Sequence, residues 1–115
     1  MPDIAINIDT KFAREVATWE GITSGDPTGE PYLPSEQRAS VATVQFSGTF
    51  DGATATLQGS NDGTNWITLR DTAQLDVSVT EADYAEISTA FLYIRPLTTG
   101  GGGSQSINCV LAARG

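Results

Sequence analysis

The chain has no histidine, one cysteine, and no apolar run that approaches the ~18 residues of a membrane span. Without an imidazole, the sequence supplies neither a Ser-His-Asp nor a Cys-His catalytic pair, and it supplies no ordinary zinc site. The lone cysteine, Cys109, cannot form an intrachain disulfide. Its place in an alternating apolar run predicts a buried, inert thiol; an exposed, reactive thiol is the alternative.

Basic residues are scarce as well. The 115 residues include fourteen acidic and six basic side chains, which gives a formal net charge of −8. This charge repels phosphate, so we expect no binding to nucleic acid and no attraction to an anionic membrane. The N-terminus lacks the basic start and apolar run of a secretory signal, and we therefore expect folding in a cytoplasm. A chain of this length predicts one domain with a modest core.

The N-terminal part of the chain differs in kind from the rest. Three isoleucines at alternate positions in residues 4–8 predict a short strand. Phe12, Val16 and Trp19 are spaced to suit either a bent strand or a helical turn, and we favour the strand. Residues 23–37 contain three prolines and two glycines, which exclude a regular ladder or a helix. We therefore predict a long loop or an extended arm there.

Short alternating segments separated by turn signals fill residues 41–114. One turn signal is the Asp-Gly pair that begins at Asp51, and the next is the run Asn-Asp-Gly-Thr at residues 61–64. Residues 53–66, around the second turn, predict a β-hairpin. Together the two turns predict an antiparallel meander of three strands that ends near Arg70.

The remaining pattern predicts three more strands. One is expected at residues 74–80, and an N-cap residue followed by an acid at residues 80–83 predicts a single helical turn. The next strand covers residues 90–96 and ends, or lies at an edge, at its proline, because proline cannot donate to a ladder. Glycines 100–103 predict a mobile loop before a last strand at residues 104–113.

Short strands at roughly ten-residue spacing predict an all-β fold, in which two antiparallel sheets pack as a β-sandwich or jelly roll. We assign the sandwich body to residues 41–115, and an N-terminal segment with a Pro/Gly-rich arm to residues 1–40, within one structural domain. Backbone ordering offsets most of the stability of so thin a core, so we expect a neighbouring subunit to contribute. The predicted inward-facing residues are Val44, Phe46, Leu57, Ile67, Leu69, Leu75, Val77, Val79, Leu92, Ile94, Ile107, Cys109 and Leu111.

Three patterns carry candidate chemistry. The oxygen-rich side chains at residues 60–65 suit a calcium loop or a tight turn, and we favour the turn because one carboxylate is too little charge for a strong site. Scattered carboxylates permit pairs for glycoside hydrolysis, yet none has a neighbourhood that would raise its pKa. Glycines 100–103 lack the lysine and the helix start of a phosphate-binding loop. We therefore predict no catalytic, cofactor-binding or metal-binding residue, and no enzyme.

Aromatic residues supply the candidate binding sites. Trp66 and Tyr93, on predicted outer strand faces, suit stacking on a sugar ring or packing against protein. Trp19, Tyr32 and Leu33 lie in segments too poor in apolar residues to build a core, so we expect them to dock on a partner subunit or on the chain's own sandwich. The predicted subunit or capsid interface comprises Trp19, Pro31, Tyr32, Leu33 and Pro34.

Two stretches of the sandwich body have informative sequences. Residues 46–66 combine two aromatic positions, the Asp-Gly and Asn-Asp-Gly turns and a closing tryptophan. Residues 93–114 combine Tyr-Ile-Arg-Pro, a glycine loop and an apolar final strand. Together they resemble small structural proteins of tailed bacteriophages, among them capsid decoration or cement proteins. The resemblance covers residues 41–114 and leaves out the N-terminal arm.

This resemblance implies a structural role without catalytic residues. It implies a β-sandwich subunit on the surface of the phage head that assembles with itself, often as a trimer, and clamps adjacent copies of the major capsid protein. The proline-rich arm suits clamping, because such a segment can wrap a neighbour and become ordered on assembly.

Two alternatives stay open. A sandwich subunit of this kind also suits the tail or neck of a phage particle. A carbohydrate-binding module that uses Trp66 and Tyr93 is the alternative from another functional class.

Overall fold

The computed structural model describes residues 3–11, 14–33, 41–88 and 91–114. In these residues the fold is all-β, with two antiparallel sheets that pack into a sandwich, as the sequence predicts. None of the described residues forms a helix that is long and apolar enough to cross a membrane. The strands are β1 (Ile6–Lys11), β2 (Arg14–Ile22), β3 (Val41–Thr49), β4 (Thr54–Ser60), β5 (Ile67–Thr68), β6 (Ser78–Val79), β7 (Asp83–Ser88), β8 (Tyr93–Thr99) and β9 (Ser106–Arg114).

The first sheet has five strands in the order β1-β2-β9-β3-β7. Its central strands alternate strictly: Val44 and Phe46 of β3, and Cys109 and Leu111 of β9, are buried, while the residues between them face outward. This period of two places one apolar face of the sheet against the second sheet. The Cys109 thiol is fully buried, and burial raises its pKa, so the prediction of a buried thiol is confirmed.

In the second sheet, β4 is the central strand. Strand β8 pairs with one edge of β4, and the two-residue strands β5 and β6 share its other edge. Ala55 and Leu57 of β4 and Ile94 of β8 point inward and complete the core. The predicted hairpin around residues 61–64 is present, although its ladder is limited to the pairs Gln58–Thr68 and Gly59–Ile67.

The predicted three-strand meander is wrong at its first turn. Asp51 and Gly52 both have positive φ, 48° and 83°, and the Ala53 N–H donates to the Phe50 carbonyl at 2.9 Å, so the turn itself forms. It leads from one sheet to the other, because β3 is in the first sheet and β4 in the second. Strands β7 and β9 already occupy both edges of β3, and β4 has no edge left to join.

Between β5 and β7 the chain also differs from the prediction. The strand expected at residues 74–80 is reduced to β6 and one bridge between Arg70 and Asp76. Residues 80–83 do not form a helical turn; they bend into β7, which pairs with the free edge of β3 and buries Ile87. The gain from pairing β7 with β3 and burying Ile87 outweighs the local helix-capping signal.

The N-terminal segment is part of the sandwich. Strands β1 and β2 form a hairpin, and β2 pairs with β9. Within the described part of the arm, Thr28 bridges Leu97 and Tyr32 bridges Ile94. Isolated bridges agree with the prediction that prolines prevent a ladder, but the arm packs on its own chain rather than projecting from it. Residues 34–40 lie outside the described residues.

Pro96 was expected to end its strand or to lie at an edge, and it lies inside β8, which continues to Thr99. Its ring takes the place of a backbone donor on the side that faces the arm, where its carbonyl accepts from the Gly29 N–H at 3.0 Å. Proline is tolerated there because this side of β8 carries bridges only, so the alternative prediction, a proline at a strand edge, is correct.

Three of the predicted core residues are exposed. Ile67 is 56% exposed, Leu75 65% and Leu92 50%. Ile67 lies in the two-residue edge strand, Leu75 in the turn between Arg70 and Asp76, and Leu92 just before β8, so no neighbouring strand covers them. Val79 is partly buried against the core. The other predicted core residues are buried as expected: Val44, Phe46, Leu57, Leu69, Val77, Ile94, Ile107, Cys109 and Leu111.

Candidate functional site

Two of the five residues predicted for an interface belong to the chain's own core. Trp19 is 0% exposed and Tyr32 2%. The Trp19 indole N–H donates to the Glu30 carbonyl at 2.9 Å, and the Tyr32 hydroxyl donates to the Glu15 carboxylate. The sequence allowed these two side chains to dock either on a partner subunit or on the chain's own sandwich. The structure shows that they pack in the chain's own sandwich. A large aromatic ring with a satisfied polar atom is a typical core residue.

Close backbone packing holds the arm in place. A Cβ on Gly29 would lie 2.5 Å from Trp19 Cδ1 and 2.7 Å from Pro96 Cγ, so only glycine fits between these rings. On the other side of the arm, the Ile4 N–H donates to the Thr28 carbonyl at 2.9 Å. The arm therefore joins the beginning of the first sheet to the edge strand of the second.

Pro31 and Leu33 face away from the core. Tyr32, which lies between them, is buried, and side chains alternate along an extended segment. Because Tyr32 bridges Ile94 in antiparallel register, Pro31 and Leu33 come level with Arg95 and Tyr93 on the outer side of β8. Leu33 is 52% exposed, and Pro34 lies outside the described residues.

The outer side of β8 brings the aromatic candidates together. The Trp66 and Tyr93 ring centroids are 6.5 Å apart, with the rings tilted by 58°. The Arg95 guanidinium carbon lies 4.0 Å from the centroid of the Trp66 ring, a cation–π geometry. Arg95 Nε also donates to Gln58 Oε1 of β4 at 2.9 Å. The Arg95 guanidinium is therefore held against the indole and the Gln58 amide.

We call this surface the aromatic–arginine face, and its members are Pro31, Leu33, Trp66, Tyr93 and Arg95. Two predictions made separately, the arm residues and the aromatic pair, converge on it. Sequence reasoning did not single out Arg95, although its alternation with Tyr93 in one strand was an available signal.

The charge on this face contrasts with the acidic chain. Neither β4 nor β8 contains an acidic residue. Burial lowers the pKa of Arg95, and the nearby Asp3 carboxylate opposes that shift. Arginine stays protonated in proteins, so the face carries a positive charge in a chain of net charge −8.

The turn beside this face is held by one carboxylate. The Asp62 side chain accepts from the backbone N–H groups of Thr64 and Asn65, each at 2.8 Å, and from the Asn65 amide at 2.7 Å. These bonds, that of Asn65 above all, lower the pKa of Asp62. Gly63, with φ of 75°, packs next to the Tyr93 ring. The bonds confirm the predicted structural turn, and they use the carboxylate oxygens that a cation would need.

The glycine loop is hydrogen-bonded to the turn at Asp51, which leads from the first sheet to the second. Asp51 accepts through Oδ2 from the Ser104 N–H at 3.0 Å and through its carbonyl from the Gly102 N–H at 3.1 Å. Asp51 thus accepts from both donors, and its carboxylate makes the loop unsuited to phosphate. Within the described residues, no group of three or more histidine, cysteine, aspartate or glutamate side chains is arranged to hold a metal ion.

Comparison with known proteins supports the fold. No protein-family model matches the chain, and no curated protein matches its sequence. The SPBc2 prophage-derived protein YomS superposes with a TM-score of 0.66 at 13% identity, over 95% of this chain and 100% of that chain. Protein NMB1881 from Neisseria meningitidis reaches 0.50 at 9% identity, over 100% of this chain and 88% of that chain.

A carbohydrate-binding module from Cellvibrio mixtus lichenase 5A, solved with cellotriose, reaches a TM-score of only 0.34 at 10% identity, over 96% of this chain and 86% of that chain. A value this low supports no comparison of binding sites. The chain therefore shares its fold with a prophage-derived protein, at an identity that shows the fold alone.

Proposed function

We propose that this chain is a virion structural protein of a tailed bacteriophage, and more specifically a capsid cement or decoration protein. The observation that carries the proposal is the aromatic–arginine face, where arm and sandwich residues form one surface. The resemblance of residues 41–114 to phage structural proteins and the fold shared with a prophage-derived protein agree with this setting.

The composition of the face suits a protein partner. Tryptophan, tyrosine and arginine are the residues most enriched among those that dominate binding energy at protein interfaces. Here Trp66 and Tyr93 are half-buried, so part of each ring is already fixed by its neighbours and loses little freedom on binding. Leu33 adds an exposed apolar side chain next to them.

In the proposed role, the face binds the major capsid protein at the junction of adjacent capsomers on the outer surface of the head. The protein assembles with itself there and stabilises the shell without catalytic activity. The net charge of −8 keeps the free subunit soluble and away from the packaged DNA.

A binding experiment tests this role. Heads of the source phage that lack the protein are mixed with the purified chain and sedimented. We expect the chain to bind, and we expect Trp66→Ala and Leu33→Ala to weaken binding by roughly tenfold or more each, the effect of a residue at the centre of an interface. Leu75→Ala is the matched control, because Leu75 is also an exposed leucine and lies in the turn between Arg70 and Asp76 rather than among the members of this face. A folded chain that does not bind such heads contradicts the proposal.

The position of the protein on the virion distinguishes the capsid cement role from a structural role in the tail or neck. Electron microscopy of virions with the protein labelled is expected to show it over the whole head surface. Label confined to the tail or neck would replace the cement role with the alternative structural one.

A second candidate function, glycan binding, is favoured by the same face. The indole of Trp66 and the phenol of Tyr93 offer apolar surfaces, and the Gln58 amide beside them offers hydrogen bonds to sugar hydroxyls. A glycan array distinguishes this candidate: binding that Trp66→Ala abolishes would establish it. No binding to any glycan, with binding to heads intact, would remove it.

A further inference from the structure

One row of uncharged side chains crosses the outer face of the first sheet. Strand pairing places Tyr84 opposite Gln45, Gln45 opposite Val110, Val110 opposite Thr18, and Thr18 opposite Asn7. All five side chains lie on the side of the sheet away from the core, half-buried or exposed. We call them the uncharged row. Val110 on β9 is its centre, with two strands on either side.

The two ends of this row have complementary shapes. At one end, Tyr84 is 68% exposed and stands out from β7. At the other end is a shallow hollow of about 380 Å³ between β1 and β2, and the row's own Asn7 and Thr18 line it. The other residues that line the hollow are Ile8, Asp9 and Val16.

We propose that two copies of this chain pair face to face through the uncharged row, about a two-fold axis parallel to the strands and passing through Val110. Such an axis exchanges β7 with β1 and β3 with β2, because β9 is the middle strand. Tyr84 of each copy then enters the hollow at Asn7 of the other, Gln45 meets Thr18, and Val110 meets Val110. The inference builds on the self-assembly in the proposed function by naming its surface, and it needs no virion.

Charge favours a second copy as the occupant. Strand β3 contains no charged residue, and β9 contains only Arg114 at its end. Two molecules of net charge −8 repel each other, and the repulsion is smallest when the uncharged row forms the centre of the contact and the carboxylates of Asp9 and Glu86 lie at its margin. Glutamine, asparagine and threonine each donate and accept hydrogen bonds, so the row is also chemically compatible with itself.

The area of the face is sufficient for a specific contact. Five strands at a spacing of about 4.8 Å, with a mean length of roughly 25 Å, present about 600 Å² per copy. Two copies together bury roughly 1,200 Å², above the roughly 1,000 Å² that a biological interface requires.

The next row of the sheet opposes this pairing slightly. It runs from Glu86 through Thr43, Ala112 and Val16 to Asp9. The same axis brings Glu86 of one copy over Asp9 of the other, at the margin of the contact, where solvent and salt screen the two carboxylates. We therefore expect moderate salt to strengthen the pairing.

Sedimentation equilibrium of the purified full chain tests the inference. We expect a monomer–dimer equilibrium that tightens between ~20 and ~200 mM salt, as the screening length falls from about 20 Å to less than 10 Å. Val110→Lys places two like charges at the axis and is expected to weaken the dimer by more than roughly a hundredfold. Tyr84→Ala, at an exposed position, weakens it without a risk to folding. Thr68→Lys, an exposed change on the outer side of the second sheet, is the matched control and leaves the dimer unchanged.

Cross-linking tests the geometry. The variant Asn7→Cys is mixed with the variant Tyr84→Cys and treated with a bismaleimide of ~10 Å span, the separation expected between two stacked sheets. We expect a linked pair from the mixture and none from either variant alone, because the proposed axis holds the two copies of position 84 about 20 Å apart, the width of four strand spacings. The native Cys109 is buried and does not react in the folded chain.

Three outcomes overturn the inference: a monomer at all concentrations, a dimer that persists unchanged in Val110→Lys, or cross-links from single variants alone. A stable trimer, the assembly that the phage resemblance implies, also overturns it, because the proposed contact is two-fold and closes at two copies. None of these outcomes involves phage heads, so failure here is distinct from failure to bind the capsid.

Discussion

The two sheets of the sandwich are built in different ways. The first consists of strands of six to nine residues that pair along most of their length. The second has two strands of seven residues, β4 and β8, and two strands of only two residues. The first sheet is thus held mainly by its own ladders. The second depends on contacts made by turns and by the arm.

In the second sheet, carboxylates accept backbone hydrogen bonds in places where no neighbouring strand does so. Asp71 accepts from the N–H groups of Ala73 and Leu75 at 2.9 and 3.0 Å, and Asp62 holds the neighbouring turn. The arm covers the edge of β8. A sheet of this kind is vulnerable to single substitutions, whereas a long ladder distributes its stability over many residues. The changes that follow test this difference.

The largest effect is expected for Trp19→Ala. Trp19 belongs to β2 of the first sheet, packs against Gly29 of the arm and donates to the Glu30 carbonyl, so it joins the two sheets. Removing a buried tryptophan costs about 3–5 kcal/mol of unfolding free energy, to be measured by chemical denaturation. Trp66→Ala, at a half-buried ring, is the control with a smaller loss. Equal losses of unfolding free energy in the two variants would show that Trp19 does not hold the two sheets together.

A smaller loss is expected for Gly29→Ala. The new methyl group meets Trp19 Cδ1 at 2.5 Å and Pro96 Cγ at 2.7 Å, so both rings have to move. Overpacking of this kind costs about 1–3 kcal/mol. Gly25→Ala, in the same arm, is the matched control, because the new methyl group would lie 3.9 Å from Thr23 Oγ1, an ordinary contact distance. If both variants unfold at the same denaturant concentration, the arm is not packed as described.

Tyr32→Phe is expected to lower stability at neutral pH and to weaken the decline of stability at alkaline pH. Burial, and then the Glu15 carboxylate, raise the pKa of Tyr32 above its ordinary value of about 10. The stability from this shift is present below pH ~10 and is lost as pH rises further, because the unfolded chain ionises first. The variant loses about 1 kcal/mol at neutral pH and shows a shallower decline above pH ~10. Tyr84→Phe, at an exposed ring, is the control; the same shallow decline there would refute the assignment.

The smallest effect is expected for Asp62→Asn. Backbone donors from Asn65 and Thr64 lower the pKa of Asp62, so its stabilisation is present above the ordinary aspartate pKa of about 4 and is lost as pH falls below it. The wild-type chain is therefore expected to melt at a higher temperature than the variant at pH 7, and the difference is expected to shrink below pH ~4. A difference independent of pH would mean that the carboxylate charge does not hold this turn.

Features of the fold that depend on side-chain alternation or on a single turn were predictable from the sequence. Alternation identified the inward residues of β3, β8 and β9, and the turn at Asp62 was correctly interpreted as structural. The sheet to which each strand belongs was not predictable. Asp51 and Gly52 give the same turn signal whether the next strand pairs with β3 or crosses to the other sheet. That choice depends on which strand edges are free, and remote residues decide it.

The candidate site was predicted only in parts. Leu33, Trp66 and Tyr93 were recognised as separate aromatic or apolar candidates, but their convergence results from the register of Tyr32 with Ile94. Trp19 and Tyr32, expected either at a partner or in the sandwich, proved to be core residues. Sequence patterns do not distinguish these outcomes, because an isolated aromatic residue buries its ring wherever a complementary groove lies.

By itself, the sequence determined the class of the fold, the inward-facing sides of β3, β8 and β9 and the burial of Cys109, since all three follow from side-chain alternation between near neighbours. Only the tertiary structure decided that β1 and β2 join the sandwich, that the described part of the arm lies along β8, and that Arg95 and Trp66 stack. The reason is physical: contacts between residues far apart in the chain depend on which surfaces remain uncovered after the long strands have paired.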